Sequence, residues 1–167
     1  MKKTIKFTLK PKSDEVEKLI RKCSNFLKSN GILDDTVQSQ VMVVRELVKN
    51  GLKYGVVNKL ENWITVQIHI NKSQIVVEVM NPINETNLHK LKELDETIQW
   101  IRGYQDPYQA YILRLKEASG KSINGKANGL NLARIAYKAN AILDFFVSED
   151  NILNLLAVRN LDSDCRN

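Results

Sequence analysis

Two pairs of strand-like segments most constrain the fold of this chain. Apolar and polar residues alternate along residues 63–70, 74–80, 141–147 and 152–158. Alternation of this kind is typical of strands that bury one face. The first pair is separated only by Asn71-Lys72-Ser73, a polar turn that favours an antiparallel hairpin. The chain is therefore predicted to contain antiparallel strand pairs near its middle and near its end.

The remaining patterns predict one further strand and five helices. Residues 4–10 alternate and end at Pro11, and apolar residues recur at helical spacing over 13–30, 34–55, 87–102, 107–118 and 129–139. Hairpins outnumber helical crossovers, so we expect an α+β two-layer sandwich, with a mostly antiparallel mixed sheet and helices on one face. The far face of the sheet is expected to be polar or covered by a partner.

Length and patterning predict one domain over residues 1–160. Its segment 83–124 is a helical insert that leads into a glycine-containing loop, and residues 161–167 are expected to be a disordered tail. No apolar run approaches the ~20 residues that span a bilayer. The basic N-terminus lacks a following apolar stretch, and two cysteines form no cluster, so we expect a reduced, cytoplasmic protein.

Charge and histidine content argue against two other functions. The net charge is +6, but the lysines are scattered and few aromatic residues lie among them, which disfavours a nucleic-acid-binding module. His69 and His89 have no metal-ligating neighbours at suitable spacing. The aromatic residues Trp100, Tyr104, Tyr108 and Tyr111 are interpreted as local core, or alternatively as a partner-binding patch.

The helix over 34–55 carries the main candidate site. Glu46, Asn50 and Lys53 fall within a sector of roughly 60° at 100° per residue. Four valines lie on the opposite side: Val37, Val41, Val44 and Val48. A carboxylate can orient a nucleophile, an amide oxygen can ligate magnesium, and an ammonium can meet phosphate. The alternative is a solvated face with weak ion pairing.

The loop before the last helix is a candidate anion site. Gly125 and Gly129 flank a lysine close to a helix start, where backbone N–H groups and the helix dipole favour phosphate. The alternative is a flexible loop that simply needs glycine.

Together, these motifs and the order of elements resemble the Bergerat-fold (GHKL) ATPases, the superfamily of gyrase, Hsp90, histidine kinases and MutL. Within it, the chain resembles the small bacterial anti-sigma-factor and partner-switching serine kinases of the SiaB type. The resemblance implies ATP and Mg²⁺ as cofactors, Glu46 as the catalytic carboxylate, Asn50 as the magnesium ligand and Lys53 near the phosphates. It also implies a phosphate-covering lid and hinge that contain Gly125, Lys126, Asn128, Gly129 and Leu130.

One position departs from the family pattern. The family has an aspartate that binds the adenine amino group, followed by a glycine-containing loop, whereas this chain has Asn81-Pro82 and no glycine there. An amide oxygen still accepts a hydrogen bond but carries no charge. We therefore expect Asn81→Asp to raise the affinity for adenine nucleotides.

Two functions follow from the resemblance. The first is an ATP- and Mg²⁺-dependent serine/threonine kinase or anti-sigma-type regulator, acting on a small anti-sigma-antagonist-like protein or a sigma factor. The second is a catalytically inactive binding module that sequesters a regulatory partner. The resemblance also allows a homodimer.

Overall fold

The computed structural model describes residues 2–10, 12–55, 63–120 and 129–161. The strands are β1 (Lys3–Leu9), β2 (Ile64–Ile70), β3 (Gln74–Pro82), β4 (Ala141–Val147) and β5 (Ile152–Asn160). The helices are α1 (Ser13–Ser29), α2 (Asp34–Tyr54), α3 (Leu88–Arg102), α4 (Pro107–Gly120) and α5 (Leu130–Lys138), with a 3₁₀ turn at Glu85–Asn87 before α3. The predicted tail, residues 161–167, lies outside the described residues except for Leu161.

The strands form one sheet in the order β1-β2-β3-β5-β4. Every neighbouring pair in this sheet is antiparallel. The predicted α+β sandwich is therefore confirmed, and the described strands contain no parallel pair.

Alternation explains how β2 and β3 contribute to the core. Val66, Ile68 and Ile70 of β2 are buried, as are Ile75, Val77 and Val79 of β3. The turn between them is closed by Asn71, whose Oδ1 accepts hydrogen bonds from the backbone nitrogens of Ser73 and Gln74 at 2.8 and 2.9 Å. An asparagine in this role replaces backbone hydrogen bonds that a tight turn cannot make.

The core lies between the inner face of the sheet and the helices. Helix α2 contacts β2, β3 and β5, α1 contacts β1, and α5 contacts β4. Some of the largest fully buried side chains are Leu27, Leu47, Tyr54, Ile68, Ile75, Leu132, Ile135 and Leu155. Full burial of one such aliphatic side chain stabilises the fold by about 1.5–3 kcal/mol. Packing against this core fixes the position of α2 and therefore of the side of the helix that carries Glu46 and Asn50.

The outer face of the sheet is polar on the side of β1 and β2. There, His69 lies between Thr4 and Gln67, with hydrogen bonds of 2.8 Å to each. On the side of β4, the large apolar side chains of Ile142 and Phe146 are exposed. The exposed Asp144 lies between these two residues on the same face of β4. The outer face is thus polar at β1 and β2 and mixed at β4, and a partner that covers it stays a prediction.

None of the helices in the described ranges is both long and apolar enough to cross a membrane.

Candidate functional site

Helix α2 places Glu46 and Asn50 in the interior of the protein. These two residues are only 4% and 7% exposed. Helix α2 contacts α1, α5 and the sheet, so it is covered on more than one side. Burying a charged group is unfavourable unless it is paired or hydrogen-bonded. The solvated-face interpretation consequently fits Lys53, which is exposed, but not Glu46 or Asn50.

The two carboxylate oxygens of Glu46 differ in their hydrogen bonds. Oε1 accepts hydrogen bonds from Lys49 Nζ and Arg134 Nη1, each at 3.3 Å. Oε2 is buried and has no hydrogen-bond partner within the described residues. Buried polar atoms are as a rule hydrogen-bonded, so Oε2 marks a place where a bound molecule can donate a hydrogen bond.

Asn50 lies one helical turn after Glu46. Its amide nitrogen donates a hydrogen bond of 2.8 Å to the backbone oxygen of Glu46. This bond uses the nitrogen end of the amide, so the oxygen end is the one that can ligate a cation. Amide oxygens suit hard cations such as magnesium.

Asn81, near the end of β3, meets the last turns of α2. Its side chain is 3% exposed, and its amide nitrogen donates to the backbone oxygen of Gly51 at 2.9 Å. This bond sets the orientation of the amide, because a flipped amide would place two oxygens against each other. Asn81 Oδ1 is then a second buried acceptor without a partner in the described part of the chain.

Two glycines of the α2 terminus make room for Asn81. A Cβ atom at Gly55 would overlap the amide nitrogen of Asn81, and a Cβ atom at Gly51 would lie 3.2 Å from Asn81 Oδ1. A larger residue at Gly55 would therefore displace the asparagine. The amide nitrogen of Asn87 also donates to the backbone oxygen of Gly55, at 3.4 Å.

Lys53 is directed toward α3 in this structure. Its Nζ lies 3.1 Å from the hydroxyl of Tyr54 and 3.6 Å from Glu93 Oε1. Both side chains of the Lys53–Glu93 pair are more than a third exposed, and such surface pairs contribute little free energy. Lys53 Nζ also lies 4.7 Å from the centroid of the Tyr54 ring, and its role near phosphate stays a prediction.

The start of α5 requires glycine. Gly129 has a φ of +86°, in the left-handed region, and a Cβ atom there would lie 2.6 Å from Thr97 Cγ2. Glycine has no side chain with which to cap the helix, so the first backbone N–H groups, beginning at Leu130, need other partners. The predicted site residues Gly125, Lys126 and Asn128 lie outside the described residues.

Sequence reasoning missed the contacts that come from distant parts of the chain. Arg134, which contacts Glu46, is 88 residues away from it in the sequence. The helical pattern over 34–55 likewise does not indicate that Gly51 and Gly55 lie against Asn81. Two glycines four residues apart at a helix end are the signal that could have suggested a close approach of another side chain.

Other reactive groups do not add a site among the described residues. No group of three or more His, Cys, Asp or Glu side chains there could hold a metal ion. Burial raises the pKa of the Cys23 thiol to about 12, which keeps it protonated at neutral pH. A cavity of about 200 Å³ between α3, α5 and β4 is lined mainly by apolar side chains and contains none of the predicted site residues.

Comparisons with known proteins support the fold. No protein-family model and no curated protein match the chain. Its structure is similar to a chain in the crystal structure of the SiaB–SiaC complex from Pseudomonas aeruginosa, with a TM-score of 0.67. The two chains share 18% sequence identity, and the match covers 94% of this chain and 89% of the other. At this identity the likeness shows a shared fold. It agrees with the resemblance to SiaB-type proteins, whereas membership of the Bergerat-fold ATPases stays a prediction.

Proposed function

We propose that this chain is an ATP- and Mg²⁺-dependent protein kinase that modifies a serine or threonine of a small partner-switching protein. The observation that carries the proposal is the buried Glu46 carboxylate, with Oε2 unpaired within the described residues, one helical turn before Asn50. A buried carboxylate next to a cation-ligating amide suits phosphoryl transfer, in which catalysis comes mainly from positioning and charge neutralisation.

The described residues fit the nucleotide and the metal. Asn81 Oδ1 and Glu46 Oε2 are two buried acceptors that match an adenine amino group and a substrate hydroxyl, respectively. Mg-ATP, when bound, supplies the γ-phosphoryl group, which passes to the hydroxyl oxygen as ADP leaves with the electron pair of the broken P–O bond.

Each predicted residue has a defined task in this proposal. Glu46 orients the substrate hydroxyl and accepts its proton. Asn50 holds the cation through its amide oxygen. Lys53 moves away from Glu93 and pairs with phosphate. The first turn of α5, after Gly129, offers backbone N–H groups to phosphate. Leu130 begins this helix, and Gly125, Lys126 and Asn128 complete the proposed phosphate loop.

The protein-binding part of the proposal is supported by the fold neighbour. That neighbour was crystallised as part of a complex of two proteins, SiaB and SiaC. We infer that this chain also binds a small regulatory protein of the anti-sigma-antagonist type. A sigma factor and a second copy of the chain are the other candidate partners.

A non-catalytic binding module is the second candidate function, and Asn81-Pro82 is the observation that favours it. Asn81 offers a neutral amide oxygen where the family has a charged carboxylate, and Pro82 has no backbone N–H to offer a ligand. In this alternative, the protein keeps the fold and the partner surface without transferring phosphate.

A labelling experiment tests the proposal. The full chain and the small proteins that co-purify with it are incubated with γ-labelled ATP and Mg²⁺. We expect label on a serine or threonine of a co-purified protein, and no label with Glu46→Gln. A co-purified protein that is never labelled, and whose retention does not depend on nucleotide, would instead support the binding module.

A further inference from the structure

Glu46 is held by a residue from another helix. Arg134 of α5 donates through Nη1 to Glu46 Oε1 at 3.3 Å. Lys49 reaches the same oxygen at the same distance. Both cations therefore lie at Oε1, and the buried Oε2 has no hydrogen-bond partner within the described residues.

The two cations do not constrain the carboxylate equally. Lys49 is three residues away on the same helix, and its side chain is 56% exposed, so its ammonium moves with α2 and is well solvated. The Arg134 side chain is 31% exposed and comes from α5. Its planar guanidinium presents donors in a fixed geometry, unlike a flexible ammonium. Arg134 is thus the residue that fixes the position of the Glu46 carboxylate relative to α5.

The need of a buried carboxylate for a partner explains why a cation lies at Oε1. It does not explain why the buried Oε2 has no hydrogen-bond partner within the described residues. The asymmetry between the oxygens, however, has a chemical consequence. A carboxylate that receives a proton from a hydroxyl needs one oxygen aimed at that hydroxyl, and geometric errors of about 1 Å can lower the rate by about 10²-fold.

We propose that Arg134 is a positioning residue for the phosphoryl transfer: it holds Glu46 Oε1 so that Oε2 faces the substrate hydroxyl. This inference rests on the proposed kinase function. In the transfer step, the hydroxyl proton passes to Oε2, the hydroxyl oxygen forms the bond to the γ-phosphorus, and the bond to the ADP oxygen breaks.

Kinetics of Arg134 variants distinguish this positioning role from a purely structural role and from a role in binding the nucleotide. For Arg134→Ala, we expect kcat for the labelled partner to fall at least tenfold, with the KM for Mg-ATP changed by less than threefold. Arg134→Lys, which keeps the charge, should recover part of kcat. A purely structural role would not give this division between kcat and KM together with rescue by lysine.

Arg45→Ala is the matched control. Arg45 forms an arginine–glutamate pair with Glu17 at 3.2 Å, and both side chains are largely exposed. Its removal should leave kcat within twofold of the unmodified protein. Lys49→Ala, which removes the other cation at Oε1, should lower kcat by less than Arg134→Ala does.

Three outcomes would overturn the inference. If Arg134→Ala keeps full kcat in an active kinase, Arg134 does not position Glu46. If its KM for Mg-ATP rises tenfold with kcat unchanged, Arg134 binds the nucleotide instead. If the unmodified protein transfers no phosphate, the proposed function itself fails, and the positioning role fails with it. The first two outcomes leave the kinase function standing.

Discussion

The amide nitrogen of Asn81 donates a hydrogen bond to the backbone oxygen of Gly51 at 2.9 Å, which joins the end of β3 to the last turns of α2. The same amide places its oxygen in the interior without a partner among the described atoms. The nitrogen end of this side chain therefore has a structural role, and we propose that the oxygen end accepts a hydrogen bond from the nucleotide. Substitutions that alter the two ends differently can separate stability from nucleotide binding.

Asn81→Asp should destabilise the protein, although the sequence alone predicted only a gain in adenine affinity. The carboxylate loses the amide donor and places a charged oxygen against the Gly51 carbonyl. Loss of a buried hydrogen bond with an unsatisfied group left behind costs about 1–3 kcal/mol. Urea unfolding measures this change in the free energy of unfolding.

Asn154→Asp is the matched control for Asn81→Asp. Asn154 is also buried, and its amide nitrogen donates to the backbone oxygen of Ile152 at 2.9 Å. Both variants should lose stability, but only Asn81→Asp should change the affinity for ATP relative to GTP in calorimetric titrations. Equal nucleotide affinities in the two variants would place the adenine away from Asn81.

Asn50→Ala should weaken the binding of Mg-ATP by about tenfold, or about 1.4 kcal/mol, and leave metal-free ATP nearly unaffected. The reason is that alanine removes the proposed oxygen ligand of magnesium. Asn50→Asp keeps an oxygen ligand but loses the bond from the amide nitrogen to the Glu46 backbone oxygen, so it should retain metal-dependent binding. If Asn50→Ala weakens ATP equally with and without metal, the effect comes from damage to α2 and not from lost ligation.

Glu78→Gln should stabilise the protein at neutral pH. Partial burial raises the pKa of Glu78, and the nearby charges of Lys6 and Lys2 oppose this by lowering it, with a net increase. A carboxyl group whose pKa is higher in the folded state binds protons more tightly there. Its contribution to stability is therefore present below the ordinary pKa of 4.5 and is lost as the pH rises through the folded-state value.

Thermal unfolding at pH 4 and pH 7 tests this sign. The neutral glutamine should raise Tm at pH 7, where the unmodified protein must keep a partly buried charge. The difference should shrink at pH 4. A stabilisation that is the same at both pH values would mean that the ionisation of Glu78 is not its cause.

The sequence predicted the helices and strands more completely than it predicted the contacts between them. Alternation identified β2 and β3 because each strand buries every second residue, and the asparagine-led turn between them identified the hairpin. Helical periodicity likewise identified α2 and its valine side. Periodicity describes which side chains share a face, but it does not reveal what covers that face.

The buried state of Glu46 could not be predicted for that reason. Its cover and its partner Arg134 come from α5, far along the chain, and only the fold brings the two together. The fit of Asn81 against Gly51 and Gly55 likewise depends on how β3 packs on α2. The resemblance to a known family identified Glu46, Asn50 and Asn81 as candidate site residues, whereas the hydrogen bonds around them depend on the fold.

Calorimetric titration of the full chain with Mg-ATP is the most direct test of whether the protein binds this nucleotide. Mg-GTP and the Glu46→Gln variant are measured in parallel. We expect saturable binding of Mg-ATP in preference to Mg-GTP, and similar Mg-ATP affinity for Glu46→Gln, because we propose that this carboxylate acts on the substrate hydroxyl and not on the nucleotide. At a hundred times its Kd, Mg-ATP should also stabilise the folded protein by about 2.7 kcal/mol. If the folded protein neither binds Mg-ATP at millimolar concentration nor is stabilised by it, the proposed ATP-dependent kinase function is wrong.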